Sequence, residues 1–218
     1  MRFDPAPRRV FLAGLAGVAA LVRPLTASAF TGASDPDQWL DGLTGKYRQL
    51  FDFNAHGDGI GFIHMHNFIE TLKSAYGARP SDINVVGTFY GATTPLAWND
   101  VMWAKYRIGT ALNLIDPETK TGVTRNWFFQ PKKTDPVFLN GAVAEASIDN
   151  LRARGATFLM CNNAFQRWTG RLAGQGFGQA ADIAADIKAN LISGVVTVPA
   201  MVIAIGAAQR RGLTYMRT

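Results

Sequence analysis

The eight residues ATFLMCNN, at positions 156–163, carry the pattern that decides the fold. Ala156 to Met160 is a short apolar run of the kind that forms a buried strand. Cys161, Asn162 and Asn163 follow directly, and because asparagine commonly caps the first turn of a helix, either Asn162 or Asn163 is expected to do so here. A buried strand that passes at once into a helix is typical of a parallel sheet.

Strands and helices alternate in the same way along the rest of the chain. Further strands are expected at Lys46–Phe53, Ile83–Tyr90, Val195–Val198 and Leu213–Met216. Helices are expected at Ile60–Tyr76, Trp98–Leu114, Ala142–Arg154, Ala180–Leu191 and Met201–Arg211, with a short helical turn after Cys161 and a glycine-rich flexible connector at 171–179. Short apolar strands separated by helices predict a three-layer α/β/α domain with a mostly parallel sheet of about five strands.

Residues 1–29, MRFDPAPRRVFLAGLAGVAALVRPLTASA, resemble a twin-arginine export signal peptide. Arg8 and Arg9 precede an apolar run that is too short to span a bilayer comfortably, and the final Ala-Ser-Ala supplies the small residues that a signal peptidase needs. We therefore expect cleavage before Phe30, a periplasmic protein and no membrane span after cleavage. Two alternatives stay open: an uncleaved membrane anchor, and a cytosolic chain with a basic tail.

The charge and cysteine content exclude some classes of function. The leader carries four arginines and one aspartate, and so half of the formal net charge of +6. After it, no run of lysine and arginine alternates with aromatic residues, so nucleic-acid binding is not expected. Cys161 is the single cysteine, which excludes a disulfide within the chain. A polar segment, residues 30–45, leads into the domain at 46–218.

Residues 116–141 interrupt the alternation with several prolines and glycines and with three consecutive aromatic residues, Trp127, Phe128 and Phe129. Irregular segments of this length are usually functional or mobile. Two interpretations stay open: a hairpin whose aromatic residues pack on a neighbouring subunit, or a lid over a pocket.

Several motifs resemble those of a known family. They are Gly-x-x-Phe-x-x-Cys-x-Asn at 155–163, Gly-Val-x-x-Val-Pro at 194–199, Gln-x-x-Gly-x-x-Tyr at 209–215 and the segment FNAHGDGIGFIHMHNFIETL at 53–72. Together they resemble the DsrE/DsrF-like family of α/β proteins over most of residues 46–218, with 116–141 as an insertion outside the resemblance.

The resemblance implies a fold more firmly than a function. In that family the cysteine, when present, carries a persulfide in sulfur relay, and Cys161 stands at its position. Asn67 matches an asparagine that is common on the family's first helix. The resemblance also implies a homo-oligomer, and a sulfur-donor or acceptor protein as a partner.

The position of Cys161 supports a reactive thiol independently of the resemblance. Backbone amides at a helix N-terminus favour a thiolate, and the carboxyl ends of parallel strands form the crevice where such sheets bind ligands. His56, in the loop after the first strand, is expected to approach this crevice, either to deprotonate the thiol or to share a metal ion with it. Tyr90 and Gly91, at the end of the second strand, are expected to line it. The competing interpretation is that Cys161 is an inert core residue.

No motif predicts a resident cofactor or metal site. His64 and His66 lie about 200° apart around a helix, so they do not face one ion together. Two functions remain: a periplasmic protein that binds or relays a sulfur species through Cys161, with Asn67, Tyr90, Gly91, Asn162 and Asn163 as binding residues, or a non-catalytic binding or assembly module of the same fold.

Overall fold

A computed structural model describes residues 35–132, 135 and 144–218. They form a sheet of five strands in the order β4-β3-β2-β1-β5, and every neighbouring pair is parallel. The strands are β1 Tyr47–Asp52, β2 Ile83–Phe89, β3 Thr157–Cys161, β4 Val195–Val198 and β5 Thr214–Arg217. Helices pack on both faces of this sheet, so the three-layer α/β/α class expected from the sequence is confirmed.

The helices of the described residues occupy two layers of unequal size. The larger layer contains α1 Ile60–Tyr76, α2 Asp100–Lys105, α3 Ile108–Ala111, α4 Ile148–Ala153, α5 Asn162–Gly174 and α6 Ala180–Ala189. The smaller layer contains α7 Met201–Arg210 and a 3-10 turn, Gln38–Leu40. Parallel crossover connections are right-handed, so the chain places its helices on one face while it builds β1 to β4 and on the other when it returns to add β5 beside β1.

Alternating side chains of the strands supply both hydrophobic cores. In β3, Phe158 and Met160 face the larger layer, whereas Leu159 and Cys161 face the smaller one. The larger core is rich in aromatic rings, and the rings of Phe89 and Phe158 stack with centroids 5.1 Å apart. In the smaller core, the alanines of α7 allow the helix to approach the strands closely.

Several expected helix bounds are wrong for local reasons. The single helix expected at Trp98–Leu114 is two short helices, because the side chain of Asn99 caps α2 and Arg107 adopts a left-handed conformation with φ +51°. The helix expected at Ala142–Arg154 begins only at Ile148 within the described residues, after the side chain of Ser147 accepts a hydrogen bond from the Asn150 amide.

The segment after Cys161 forms a longer helix than the sequence analysis expected. In place of a short helical turn and a connector from residue 171, α5 runs to Gly174. Phe165, Trp168 and Leu172 recur at helical spacing and bury one face of α5 against the sheet. Only the last part of the expected connector, where Gly176 and Gly178 have positive φ, lies outside a helix.

Part of the insertion at 116–141 contributes to the core, although residues 117–121 are exposed. Trp127 and Phe128 are buried among residues of the same chain, so they are not the exposed aromatic patch that the expectation of a homo-oligomer partly relied on. Asn126 holds them in place, because its side-chain amide donates to the carbonyls of Leu96 and Trp98, each at 3.0 Å.

The expected export signal, residues 1–29, and the first five residues of the segment at 30–45 lie outside the described residues. Among the helices that are described, none combines the length and apolar character needed to cross a bilayer.

Gly87 provides a test of the packing between β2 and β3. A Cβ atom at this position would lie 2.6 Å from a ring carbon of Phe158, whose ring is already stacked on Phe89. We expect Gly87→Ala to lower the free energy of unfolding by about 1–3 kcal/mol, since overpacking must move the ring or the strand. Urea denaturation measures this.

Gly170→Ala is the matched control, because Gly170 lies within α5 with open space around the position of a Cβ atom. Alanine is the better helix former, so this variant is expected to gain up to about 1 kcal/mol. Unchanged stability of Gly87→Ala would contradict the packing described for β2 and β3.

Candidate active site

The connections after β3 and β4 diverge and open a cleft at the carboxyl edge of the sheet. These strands are neighbours, with Cys161 opposite Val198. The chain leaves β3 into α5 in the larger layer and leaves β4 toward α7 in the smaller layer. Ligands of open α/β sheets bind at such a switch point, where adjacent connections go to opposite faces.

The sulfur of Cys161 lies between the N-termini of these two helices. The backbone N–H of Ala164, in the first turn of α5, donates to Sγ at 3.5 Å, and the backbone N–H of Met201, the first residue of α7, donates at 3.4 Å. Both helices direct the positive end of their dipole toward this position. Hydrogen bonds of this kind stabilise negative charge on sulfur.

Cys161 is itself the N-cap of α5, so the expectation that Asn162 or Asn163 caps the helix is wrong. The helix begins one residue earlier than the asparagines suggested, because the thiol sulfur accepts the amide hydrogen bond that an asparagine oxygen would otherwise accept. Cys161 is only 6% exposed, and it borders a cleft of about 520 Å³.

Mostly small or apolar groups line the cleft, with a few polar ones among them. The polar side chains belong to Tyr90, Asn163, Arg167 and Arg171. The rest of the lining comes from Gly91, Ala92, Ala111, Leu112, Cys161, Ala164, Trp168, Ala200, Met201 and Val202. A mainly apolar pocket with a few convergent polar groups is typical of a small-molecule site.

Tyr90 joins the cleft to a buried carboxylate. Asp52 is 4% exposed, and its carboxylate accepts hydrogen bonds from the hydroxyls of Thr88 at 3.1 Å and Tyr215 at 2.6 Å. Burial, together with a hydrogen bond to Asp52, raises the pKa of Tyr90 to about 12. The phenol is therefore neutral at physiological pH and keeps its proton as a hydrogen-bond donor.

Two arginines and a tryptophan on α5 form one wall of the cleft. The Trp168 indole N–H donates to the carbonyl of Gly91 at 2.7 Å, which ties α5 to the end of β2. Gly91 has φ +56°, a conformation that favours glycine. The Arg171 guanidinium lies over the Trp168 ring, 4.9 Å from its centroid, while Arg167 stands one turn earlier on the same helix.

The structure brings together four of the residues that the sequence analysis proposed: Cys161, Tyr90, Gly91 and Asn163 all line the cleft. Asn162 begins α5 beside them and is not among the lining residues.

His56 and Asn67 lie elsewhere. Nδ1 of His56 accepts a hydrogen bond from the Asp58 amide at 3.3 Å, its ring lies 5.9 Å from that of Phe128, and it does not line the cleft. Asn67 lines a separate groove beside α1 and β1, together with His64.

The histidines do not converge. His66 contacts the Arg154 guanidinium at 2.9 Å, on a different side of α1 from the groove that His64 lines. No cluster of three histidine, cysteine, aspartate or glutamate side chains suited to a metal ion occurs among residues 35–132, 135 and 144–218.

Arg167, Trp168 and Arg171 line the cleft but were not predicted as site residues from the sequence. A signal was present, because Phe165, Trp168 and Leu172 have helical spacing and would have placed Arg167 and Arg171 one turn apart on the helix that starts at Cys161. Gly174, Gly176 and Gly178 follow closely, and such a glycine-rich segment is typical of a flexible connector rather than a helix. Met201 left no comparable signal, since its contribution to the site is a backbone amide.

No family model, curated protein or solved structure matches this chain.

Replacement of Tyr90 by phenylalanine tests the link to Asp52 through its pH dependence. The pKa of Tyr90 rises from 10.0 to about 12 on folding, so above pH 10 the unfolded chain releases a proton that the folded chain retains. The stabilisation is complete below pH 10 and is lost as the pH rises through about 12. We expect Tyr90→Phe to lose less stability than the wild type between pH 10 and pH 12.

Urea denaturation at intervals of pH measures this difference. The pKa values of Tyr106 and Tyr215 are also raised, by burial and by hydrogen bonds to Asp186 and Asp52, so part of the alkaline decline remains in the variant. An equally steep decline in both proteins would contradict the role given to Tyr90.

Proposed function

We propose that this protein binds a sulfur species on Cys161 and relays it to an acceptor, as a sulfurtransferase-like persulfide carrier. The observation that carries the proposal is the position of Sγ: two backbone N–H groups from the N-termini of α5 and α7 donate to it at the border of a cleft. The resemblance to the DsrE/DsrF-like family, in which the cysteine carries a persulfide, supports the same chemistry.

The transfer step needs no external oxidant or reductant. The Cys161 thiolate attacks the terminal sulfur of a persulfide donor, R–S–SH, and a new S–S bond forms at Sγ. The donor's S–S bond breaks, and its electron pair leaves on the R–S sulfur, which takes up a proton. The amides of Ala164 and Met201 stabilise negative charge on Sγ before the attack and on the persulfide afterwards.

The neutral phenol of Tyr90 lines the same cleft as Cys161 and adds no negative charge beside a bound sulfur species. Burial and the nearby Asp52 carboxylate raise its pKa and keep it protonated. The transfer step does not need His56, which the sequence predicts beside Cys161 but which does not line the cleft, because the helix N-termini already stabilise the thiolate.

A non-catalytic binding module remains the second candidate, and one observation favours it. Cys161 is 6% exposed, and its sulfur caps α5, which is a structural task that an unreactive thiol performs equally well. In that case the cleft would hold a small molecule without covalent chemistry.

Mass spectrometry of the intact mature protein after polysulfide treatment separates the two candidates. We expect a gain of about 32 Da, the mass of one sulfur atom, that dithiothreitol reverses. Because Cys161 is the single cysteine, the adduct has one location, and Cys161→Ser must abolish it. A wild-type protein that stays unmodified would favour the binding module.

We also propose that the carrier works in the periplasm after twin-arginine export and assembles as a homo-oligomer. Export is supported by Arg8 and Arg9 followed by the short apolar run and the Ala-Ser-Ala triplet. Assembly is supported by the family resemblance and by Val202 and Ile203, which expose 75% and 63% of their surface on α7.

Replacement of Arg8 and Arg9 by lysines is expected to retain the precursor in the cytoplasm, since the twin-arginine pathway requires the arginine pair. Cell fractionation and immunoblotting follow the precursor and the mature form. Replacement of Arg2 and Arg23 by lysines leaves the pair intact and serves as the control. Periplasmic protein whose N-terminus is still Met1 would contradict the expected cleavage.

A further inference from the structure

Arg167 and Arg171 carry a charge arrangement that helix stability does not explain. They stand four residues apart on α5, where like charges repel and destabilise a helix. Among the described residues neither forms an ion pair. Of the other described arginines, Arg48, Arg107, Arg210 and Arg217 also form none, whereas five pair with a carboxylate: Arg79, Arg125, Arg152, Arg154 and Arg211.

The two arginines share one cleft. Both line the cleft that Cys161 borders. Arg171 is held over the Trp168 ring, and Trp168 is fixed in turn by its hydrogen bond to Gly91. A guanidinium that is already oriented loses less conformational entropy when it binds an anion.

No opposing charge lines the cleft. Of the described lining residues, the charged ones are Arg167 and Arg171, and none carries a carboxylate. The nearby carboxylate of Asp52 is buried behind the neutral phenol of Tyr90 and is satisfied by hydroxyl groups. The N-termini of α5 and α7 add to the positive potential at Sγ.

We infer that the cleft selects a small anionic sulfur donor, of the class of inorganic polysulfides, and that Arg167 and Arg171 are its specificity-determining residues. This inference rests on the proposed function. In the loading step, the Cys161 thiolate bonds to a terminal sulfur of the chain Sₙ²⁻, the adjacent S–S bond breaks, and the electron pair leaves on Sₙ₋₁²⁻. The guanidinium groups neutralise the charge of the donor as it enters and of the shortened chain as it leaves.

Two methanethiosulfonate reagents of opposite charge test the inference. The probes are the 2-sulfonatoethyl and the 2-(trimethylammonio)ethyl compounds, which have similar sizes. In both, the Cys161 thiolate attacks the sulfenyl sulfur and methanesulfinate leaves. Each second-order rate is divided by the rate of the same reagent with 2-mercaptoethanol, which removes the intrinsic difference between the probes.

We expect the normalised rate to favour the anionic reagent by roughly tenfold or more at low salt, and the preference to fall as salt rises. The double variant Arg167→Gln/Arg171→Gln is expected to lose the preference. The variant Arg167→Lys/Arg171→Lys retains the charge and is expected to keep most of it. Arg79→Gln/Arg210→Gln removes the same charge outside the cleft and is expected to behave like the wild type.

The outcomes separate the two proposals. If Cys161 reacts with both reagents but shows no anionic preference, or shows one that the glutamine variant retains, the inference is overturned while the reactive thiol stands. If Cys161 reacts with neither reagent in the folded protein and with both in urea, the thiol is inert and both proposals fall. Circular dichroism of each variant shows that it is folded before its rates are compared.

Discussion

The neighbouring strands β3 and β4 end side by side, and the chain that leaves each of them goes to a different face of the sheet. Right-handed crossovers impose this divergence once β5 is added on the far side of β1. The cleft, the approach of two helix N-termini to one sulfur, and the position of Cys161 at the border between the layers all depend on it. A thiol at the end of β1 would lack this environment, because the connections that follow β1 and its neighbour β2 both lead to the larger layer.

The negative charge of Asp52 is kept apart from the positive charges of the two arginines that line the cleft. Asp52 is buried on the side of β1, where hydroxyl groups from β2 and β5 satisfy its carboxylate. Tyr90 lies between this carboxylate and the cleft, and its raised pKa prevents a second negative charge from forming beside the first. The arginines of α5 line the same cleft as Tyr90. The result is a thiol in a positive environment, although a carboxylate lies behind the phenol.

The elements that the sequence predicted well are those whose pattern is local. Helix α1 has the predicted bounds, Ile60–Tyr76, and β4 has the predicted bounds, Val195–Val198, because apolar periodicity and a glycine or proline at the end mark both. The expected helix over Trp98–Leu114 was wrong because its breaks depend on the cap formed by Asn99 and on the backbone of Arg107. Neither the cap nor the backbone conformation changes the spacing of apolar residues, so the sequence pattern does not predict these breaks.

The candidate site was predictable in part for the same reason. Cys161, Tyr90 and Gly91 could be placed at the carboxyl edge from the strand pattern alone. The amide of Met201 could not, since any residue at the start of α7 would supply it. Burial of Trp127 and Phe128 could not be predicted either, because it depends on hydrogen bonds from Asn126 to carbonyls about thirty residues away.

The sulfur of Cys161 also links the two helical layers mechanically. The two N–H groups that donate to Sγ belong to helices in opposite layers, so the distance between those layers determines the hydrogen bonding of one atom. Helix α7 contacts the sheet through alanines, which interlock with the strands less than long side chains do. A partner that pushed on the outer surface of α7 would therefore alter the surroundings of the thiol, and so the reactivity of Cys161, without entering the cleft.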